Sequence, residues 1–297
     1  MKKAFIQLHL AVLLAGFTAI IGKLISLNEV LLVWYRVLIS VILFFIILLL
    51  SKKLVKTPFA EILKMFGAGS IIALHWVFFY GSVKYSNISI GVTCLSSMGF
   101  FTSFLEPAIM KRKISWFEVL LGIMAIIGIY IIFDFNPQYQ KGIIFGLIAA
   151  ALSSVFPIMN KQLLQKHEAI NLSMYEMAGG LIFLSFIIPI YLHYFPAHYY
   201  LPTPKDWLLL ILLSAFCTVW AMILQLNSLK YISPFTTALT YNLEPVYGII
   251  MGLLFFNEGS MMHKGFFWGL GLILLTIILQ SVKSLHQYRA KPLNYAD

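Results

Sequence analysis

The sequence contains few charged residues, two cysteines and no common catalytic signature. Only 11% of its 297 residues are charged, whereas a soluble domain carries about 25%, so a soluble globular class is excluded. Cys94 and Cys217 fall within apolar runs and provide neither a disulfide framework nor a metal-ligand spacing. The chain has no HExxH, GxSxG or cysteine–histidine arrangement and no GxxxxGKS/T loop. We therefore expect no catalytic residues, no metal, no cofactor and no direct use of ATP.

Apolar sequence is abundant instead. Hydrophobic residues make up 61% of the chain, and the mean hydropathy is +0.90. Repeated apolar runs of about 20 residues match the roughly 30 Å hydrocarbon core of a bilayer. They predict an all-α membrane protein with ten transmembrane helices. The predicted spans are 5–25, 30–50, 62–82, 88–110, 115–135, 142–160, 170–190, 207–228, 234–256 and 263–282.

Basic residues are unevenly distributed among the connections between these spans. If the N-terminus is cytoplasmic, fifteen of the 21 Lys and Arg residues fall on the cytoplasmic side, as the positive-inside rule requires. This bias predicts a multi-pass cell-membrane protein with both termini in the cytoplasm. It also accounts for the net charge of +10, so no nucleic-acid partner is expected.

The second half of the chain repeats the first. Ser-Val-Lys-Tyr at 82–85 returns as Ser-Leu-Lys-Tyr at 228–231, 146 residues later. Five spans is an odd number, so a tandem copy enters the membrane from the opposite side, and inverted repeats are common in secondary transporters. The predicted units are a first repeat at 1–137, a second repeat at 138–283 and a cytoplasmic tail at 284–297.

Glu244 is the strongest candidate for a functional ionisable residue. A charged side chain at the bilayer centre costs about 2.5–3.5 kcal/mol on insertion scales, and Glu244 lies near the middle of the ninth span. Pro245 has no N–H, which leaves the Tyr241 carbonyl without its usual helical donor. This position suits a cation, a proton or a substrate ammonium. The alternative is a protonated Glu244 that hydrogen-bonds a neighbouring helix.

Arg36 is the second ionisable candidate. It lies six residues into the second span, about 9 Å below the outer edge. Its counterpart in the repeat is Glu176, 140 residues later and about 12 Å away in height, so a simple salt bridge between them is not expected. Arg36 either attracts an anionic group or braces the interface between the repeats.

Polar stripes at helical spacing lie on the fourth, eighth and ninth spans. The fourth and ninth spans hold equivalent places in the two repeats, which favours a shared cavity. His75 in the third span is either a proton relay or a hydrogen-bonded packing residue. The other candidates for substrate binding are Trp76, Phe79, Thr93, Ser96, Thr218, Trp220, Thr240, Tyr241 and Tyr247.

Glycines in the fifth and tenth spans predict close helix packing. Gly265 and Gly269 form a small-xxx-small pair, and Gly122 and Gly128 lie in the equivalent fifth span. These spans are therefore assigned to packing rather than to the substrate path. A homodimer through the fifth and tenth spans is a further expectation.

Three features occur in order over both halves: Arg36, the Lys-Tyr pairs at 84–85 and 230–231, and the Asn-Leu-Glu-Pro-Val-Tyr segment at 242–247. On these features the chain resembles the EamA family of the drug/metabolite transporter superfamily. The resemblance implies a ten-helix inner-membrane carrier that works by alternating access. It also implies a central cavity lined by the first, third, fourth, sixth, eighth and ninth helices.

The expected function is a secondary transporter that exports small metabolites such as amino acids. Its expected partners are the small-molecule substrate and the lipid bilayer. Two alternatives remain open: a metabolite uptake permease and, from a different class, a membrane-embedded enzyme.

Overall fold

The computed structural model of the chain describes residues 2–133, 139–197, 199–247 and 264–290. In these ranges every regular element is helical. Seven helices are long and apolar enough to span a membrane, and two shorter apolar helices accompany them. The helices are α1 (Lys2–Leu24), α2 (Glu29–Ser51), α3 (Phe59–Tyr85), α4 (Ile88–Met110), α5 (Trp116–Phe133), α6 (Gln140–Leu163), α7 (Ala169–Tyr194), α8 (Pro204–Leu229), α9 (from Pro234, described to 247) and α10 (Lys264–Ala290).

The repeat seen in the sequence recurs in the backbone of α4 and α9. Helix α4 consists of Ile88–Cys94, a 3₁₀ turn at Leu95–Ser97, and Met98–Met110. Helix α9 begins with Pro234–Thr240 and continues through a 3₁₀ turn at Tyr241–Leu243. The first two segments of α9 therefore lie 146 residues after those of α4, the same spacing as the Lys-Tyr motifs. The two turns also contact each other, so the broken helices cross near their breaks.

Both broken helices begin with a side-chain cap at the same repeat position. The Asn87 carboxamide oxygen accepts from the Ile90 N–H, and the Ser233 hydroxyl accepts from the Thr236 N–H. Asn and Ser are favoured N-caps because they satisfy an N–H that the helix itself leaves unpaired. The two caps are again 146 residues apart and fix where each broken helix begins.

Lysines at the ends of α1 and α6 make a second symmetric set of contacts. Lys23 donates to the Val83 carbonyl at the end of α3, at 3.3 Å. Lys161 donates to the Leu229 carbonyl at the end of α8, at 2.6 Å. A helix C-terminus attracts cations because its last carbonyls lack intrahelical donors. In each repeat, the first helix therefore caps the third.

Helices α5 and α10 pack against each other through their glycines. A Cβ at Gly128 would overlap Ile273 and the Gly269 carbonyl, and a Cβ at Gly269 would overlap the Gly128 carbonyl. The glycine faces predicted for packing thus meet within one chain, and the homodimer remains a prediction. Helix α10 continues to Ala290, so the tail predicted from 284 begins as helix, and 291–297 lies outside the described residues.

Candidate functional site

A cavity of about 80 Å³ lies within the bundle, bounded by residues of α1, α2, α3, α4, α6, α8 and α9. This set contains the six helices implied by the resemblance and adds α2, which contributes Arg36. A water molecule needs roughly 10–15 Å³ by this kind of measure, while ligand pockets typically span about 300–1,000 Å³. The cavity therefore has room for a few waters and must widen to hold a metabolite.

Arg36 is buried in the wall of this cavity, with only 1% of its surface exposed. Its Nε donates to the Thr218 hydroxyl at 2.7 Å, and one Nη donates to the Tyr80 hydroxyl at 2.9 Å. The other Nη donates to the Cys217 carbonyl at 3.0 Å. The guanidinium also lies 3.9 Å from the centre of the Trp76 ring. Three of its five N–H groups thus have partners in the described chain, and the group is held in one orientation.

Helix α8 supplies two of these partners through a π-helical turn at Ala215–Trp220. Such turns are rare and often occur at functional sites. Here the turn brings the Cys217 carbonyl and the Thr218 hydroxyl to Arg36. Trp220, a predicted cavity residue, lies instead on the outer surface of α8 with 49% of its surface exposed. Cys217 and Ala221 of the same helix line the cavity, and Trp220 does not.

Glu244 lines the same cavity as Arg36, together with Tyr241. Only 5% of its surface is exposed. No hydrogen bond or ion pair between Glu244 and Arg36 occurs in the described chain. The site therefore contains a buried guanidinium and a buried carboxyl group that face one space without bonding to each other.

The Tyr241 carbonyl is not left free by Pro245, contrary to the expectation from sequence. It accepts the Glu244 N–H within the 3₁₀ turn. In a 3₁₀ turn the hydrogen bond spans three residues instead of four, so the missing proline N–H is replaced by that of the preceding residue. The turn thus satisfies the backbone and leaves the Glu244 side chain as the polar feature of this position.

His75 lies in the cavity wall and bonds to α6. Its Nδ1 lies 2.8 Å from the Ala149 carbonyl oxygen, and since a carbonyl only accepts, Nδ1 carries a proton. The ring stacks on Phe79 with centroids 6.1 Å apart. His75, Trp76 and Phe79 all line the cavity, and Phe156 of α6 adds a further aromatic side chain.

Six predicted residues lie outside the cavity lining: Trp220, Thr218, whose hydroxyl bonds to Arg36, and four others. The Thr93 and Ser96 hydroxyls are buried in α4 and have no hydrogen-bond partner in the part of the chain that is described. Thr240 donates to the Thr236 carbonyl of its own helix at 2.7 Å. Tyr247 packs on a small apolar cluster that includes Leu8 of α1. The predicted stripes on α4 and α9 thus serve helix contacts more than the cavity.

Sequence reasoning did not single out several residues that the structure places in the cavity wall. Thr18 and Ala15 of α1 and Ser153 of α6 line it, as does Gln225 of α8. Gln225 belongs to a polar stripe visible in the sequence, and Thr18 interrupts an apolar run. Ala15 carries no such signal, because small residues occur at any helix contact.

Hydrogen bonds join the two repeats at both ends of the bundle. At the end that carries the α1–α2 connection, the predicted outer end, Asp206 accepts from the Ser26 N–H at 2.9 Å and from the Ser26 hydroxyl at 2.5 Å. At the opposite end, Glu106 of α4 accepts the Phe235 N–H of α9 at 2.9 Å. The two repeats are therefore held together at both ends of the bundle.

Known proteins match this chain over most of its length. A family model described as the EamA-like transporter family matches residues 2–134 and 140–282. An uncharacterized transporter of Archaeoglobus fulgidus is 25% identical over 192 residues, which cover 63% of this chain and 68% of that protein. A protein of known crystal structure has the same fold, with a TM-score of 0.70 at 13% identity over 97% of this chain and 99% of the other. These matches confirm the predicted all-α, two-repeat membrane fold.

Proposed function

Since the chain belongs to the EamA-like transporter family, we propose that it is a secondary transporter that exports small zwitterionic metabolites, such as amino acids, by alternating access. We further propose that it resides in the bacterial inner membrane with both termini in the cytoplasm. The observation that supports the substrate class is the presence of Arg36 and Glu244 in one buried cavity without a bond between them.

A zwitterion would complement both of these groups. A guanidinium binds a carboxylate through parallel N–H donors, and two of the Arg36 N–H groups are not among the bonds described above. The Glu244 carboxylate suits an ammonium group. The wall between them is mostly apolar or aromatic and includes Trp76 and Met98, which suits an apolar substrate side chain.

Contacts between the repeats at both ends suit a carrier that opens to one side at a time. In inverted-repeat carriers, one repeat or bundle moves against the other around a central site. The bonds of Ser26 to Asp206 and of Phe235 to Glu106 connect the repeats at opposite ends. Breaking one set while keeping the other would expose the cavity to a single side.

Counterflow in proteoliposomes tests the function. Vesicles loaded with an unlabelled amino acid mixture should accumulate each labelled amino acid that the carrier accepts, whereas vesicles with Arg36→Ala should not. The control is Lys64→Ala, which changes an exposed cation at the end of the bundle away from the cavity. If no amino acid exchanges in wild-type vesicles, the substrate class is wrong.

Metabolite pools of a deletion strain test the direction. A pool that swells without the carrier supports export. A pool that cannot be filled from the medium points to the uptake permease.

A further inference from the structure

Glu176 on α7 is a buried carboxyl group that the proposed substrate site does not use. Its surface is 0% exposed, and no well-aligned hydrogen bond reaches its oxygens in the described ranges, although the Asn160 carboxamide is close enough to interact with it. An isolated ionised carboxylate in apolar surroundings is strongly unfavourable, and such a group is neutralised by a proton or paired with a cation. Glu176 is therefore expected to hold a proton or to pair with a cation.

Two further unpartnered polar side chains surround this carboxyl group. Asn160 of α6 lies beside it, and Ser173 precedes it by three residues, on the same side of α7. Both are 0% exposed, and the Asn160 carboxamide and Ser173 hydroxyl also lack hydrogen-bond partners among the described residues. The three side chains offer two carboxylate oxygens, one amide oxygen and one hydroxyl oxygen.

All the donor atoms of this set are oxygens, and together they carry one negative charge. Oxygen donors suit hard cations, and a single carboxylate balances a single positive charge. Within the described ranges, no three His, Cys, Asp or Glu side chains cluster as a metal site would require. The chemistry thus favours a monovalent cation, either a proton or Na⁺.

The backbone around Glu176 packs closely against α3. A Cβ at Gly69 of α3 would overlap the Glu176 carbonyl, and a Cβ at Gly180 would press on the Gly69 carbonyl. Glu176 lies seven residues into α7, about 10 Å from its start. The carboxyl group therefore stays within the membrane and cannot reach the aqueous interface.

No charged group on the surrounding helices forms an ion pair with Glu176 in the described chain. Judged from their positions along each helix, the nearest charged and titratable side chains are Arg36 on α2, Glu61, Lys64 and His75 on α3, Lys161 on α6 and Cys217 on α8. Arg36 is held by Tyr80 and Thr218. Glu61 pairs with Lys64, and Lys161 binds carbonyls at the end of α8.

Glu176 occupies the same place in the second repeat that Arg36 occupies in the first, 140 residues apart. In this conformation Arg36 lines the cavity and Glu176 does not. In inverted-repeat carriers, one repeat moves against the other around the central site when access reverses. Reversal should therefore bring Glu176 toward the cavity from the other end of the bundle.

We propose that Glu176, Asn160 and Ser173 form the site of a coupling cation, a proton or Na⁺. The site is occupied in the conformation described here and opens to the cavity when one repeat moves against the other. This proposal rests on the proposed transport function. It assigns coupling to a site separate from Glu244, which is left to bind substrate.

Cation binding is tested first, without transport, on the purified full-length protein. Wild type, Glu176→Gln and the surface control Glu61→Gln are compared by thermal unfolding in NaCl and in choline chloride at one pH. Infrared difference spectra over a pH series report the carboxyl C=O band. Stabilisation by NaCl identifies Na⁺, and a protonated carboxyl band that Glu176→Gln removes identifies a proton. If Glu176→Gln matches wild type in both measurements, the proposal is wrong.

Transport then separates this proposal from the proposed function. Exchange needs no net cation movement, so Glu176→Gln should retain counterflow while its gradient-driven accumulation falls at least tenfold. Wild-type protein without counterflow would contradict the function itself. Glu176→Gln with normal accumulation would contradict only the cation site.

A second pair of variants keeps the test valid if Glu176→Gln does not fold. Asn160→Ala and Ser173→Ala remove one oxygen each and leave the carboxyl group in place. Each should raise the cation concentration for half-maximal accumulation by about tenfold or more. Tenfold is the lower end of the affinity loss that follows removal of a group supporting a bound cation. Unchanged half-maximal concentrations in both variants would exclude them as ligands.

Discussion

Arg36 shows how one residue can hold a charge in the membrane and still present it to a ligand. Its three protein partners come from α3 and α8, and Trp76 lies against its face. Lysine provides a point charge on a flexible stem and cannot reproduce this planar fork. The geometry, rather than the charge alone, should therefore determine substrate affinity.

Arg36→Lys tests this requirement. Charge-assisted hydrogen bonds contribute about 1.5–3 kcal/mol each, and about 1.4 kcal/mol corresponds to tenfold in affinity. We expect KM for counterflow to rise by about tenfold or more, with protein yield little changed. Tyr80→Phe, which removes one of the fork's partners, should have a smaller effect in the same assay. Equal KM for Arg36→Lys and wild type would show that the fork does not bind substrate.

Glu244→Gln tests the opposite end of the proposed zwitterion. Wild type should prefer an amino acid over the matching carboxylic acid without its amine, because the carboxylate of Glu244 pairs with the ammonium. The glutamine variant keeps the shape and removes the charge, so this preference should shrink by about tenfold. Competition of both compounds against a labelled substrate measures the ratio, with Glu61→Gln as the control. A preference unchanged from wild type would exclude Glu244 from ammonium binding.

At the scale of helices, the sequence predicted the repeat but not its irregular turns. The Lys-Tyr pairs recur at one spacing, so the duplication is visible by inspection. The 3₁₀ turns at Leu95–Ser97 and Tyr241–Leu243 contain neither glycine nor proline, and they lie where the two helices cross. The π turn at Ala215–Trp220 is likewise set by tertiary contacts, among them the bond from Arg36 to the Cys217 carbonyl. This explains why Trp220 was misplaced while Arg36 and Glu244, single charges in apolar helices, could be identified.

The caps of α4 and α9 allow a matched test of the repeat. Asn87→Ala and Ser233→Ala each remove the side-chain acceptor of a helix start. Each loss should lower the free energy of unfolding by about 1 kcal/mol, and Asn87→Ser should restore most of it. Thermal midpoints in detergent, compared with Ser51→Ala at the exposed end of α2, provide the measurement. Strong destabilisation by one cap variant and none by the other would show that the two starts are not equivalent.

At the scale of the whole molecule, the two repeats are joined at both ends and the cavity between them is small. The family resemblance implied six of the seven cavity helices and omitted α2, while the polar residues of the sequence favoured a shared cavity. It could not predict how the ends of the repeats meet, because these contacts join residues far apart in the chain, such as Ser26 with Asp206 across 180 positions.

Asp206 should control opening at the predicted outer end. Its carboxylate accepts four hydrogen bonds, two from Ser26 in the first repeat and two from Thr203 in its own helix cap. Asp206→Ala removes the bonds to Ser26, which favours separation of the repeats at this end while Glu106 still holds the other. Cys217 lines the cavity and can report this opening in a Cys94→Ser background, since the chain has two cysteines.

The measurement is the rate at which a membrane-impermeant maleimide labels Cys217 from outside intact cells. Asp206→Ala should increase this rate several-fold, and saturating substrate should slow it again, because Cys217 shares the cavity with Arg36. Ser26→Ala removes only one of the two bonds, since its backbone N–H remains, and should give an intermediate rate. Cys217→Ser in the same background defines the unlabelled baseline. If Asp206→Ala left the labelling rate at the wild-type level, the contact with Ser26 would not be what closes the outer end.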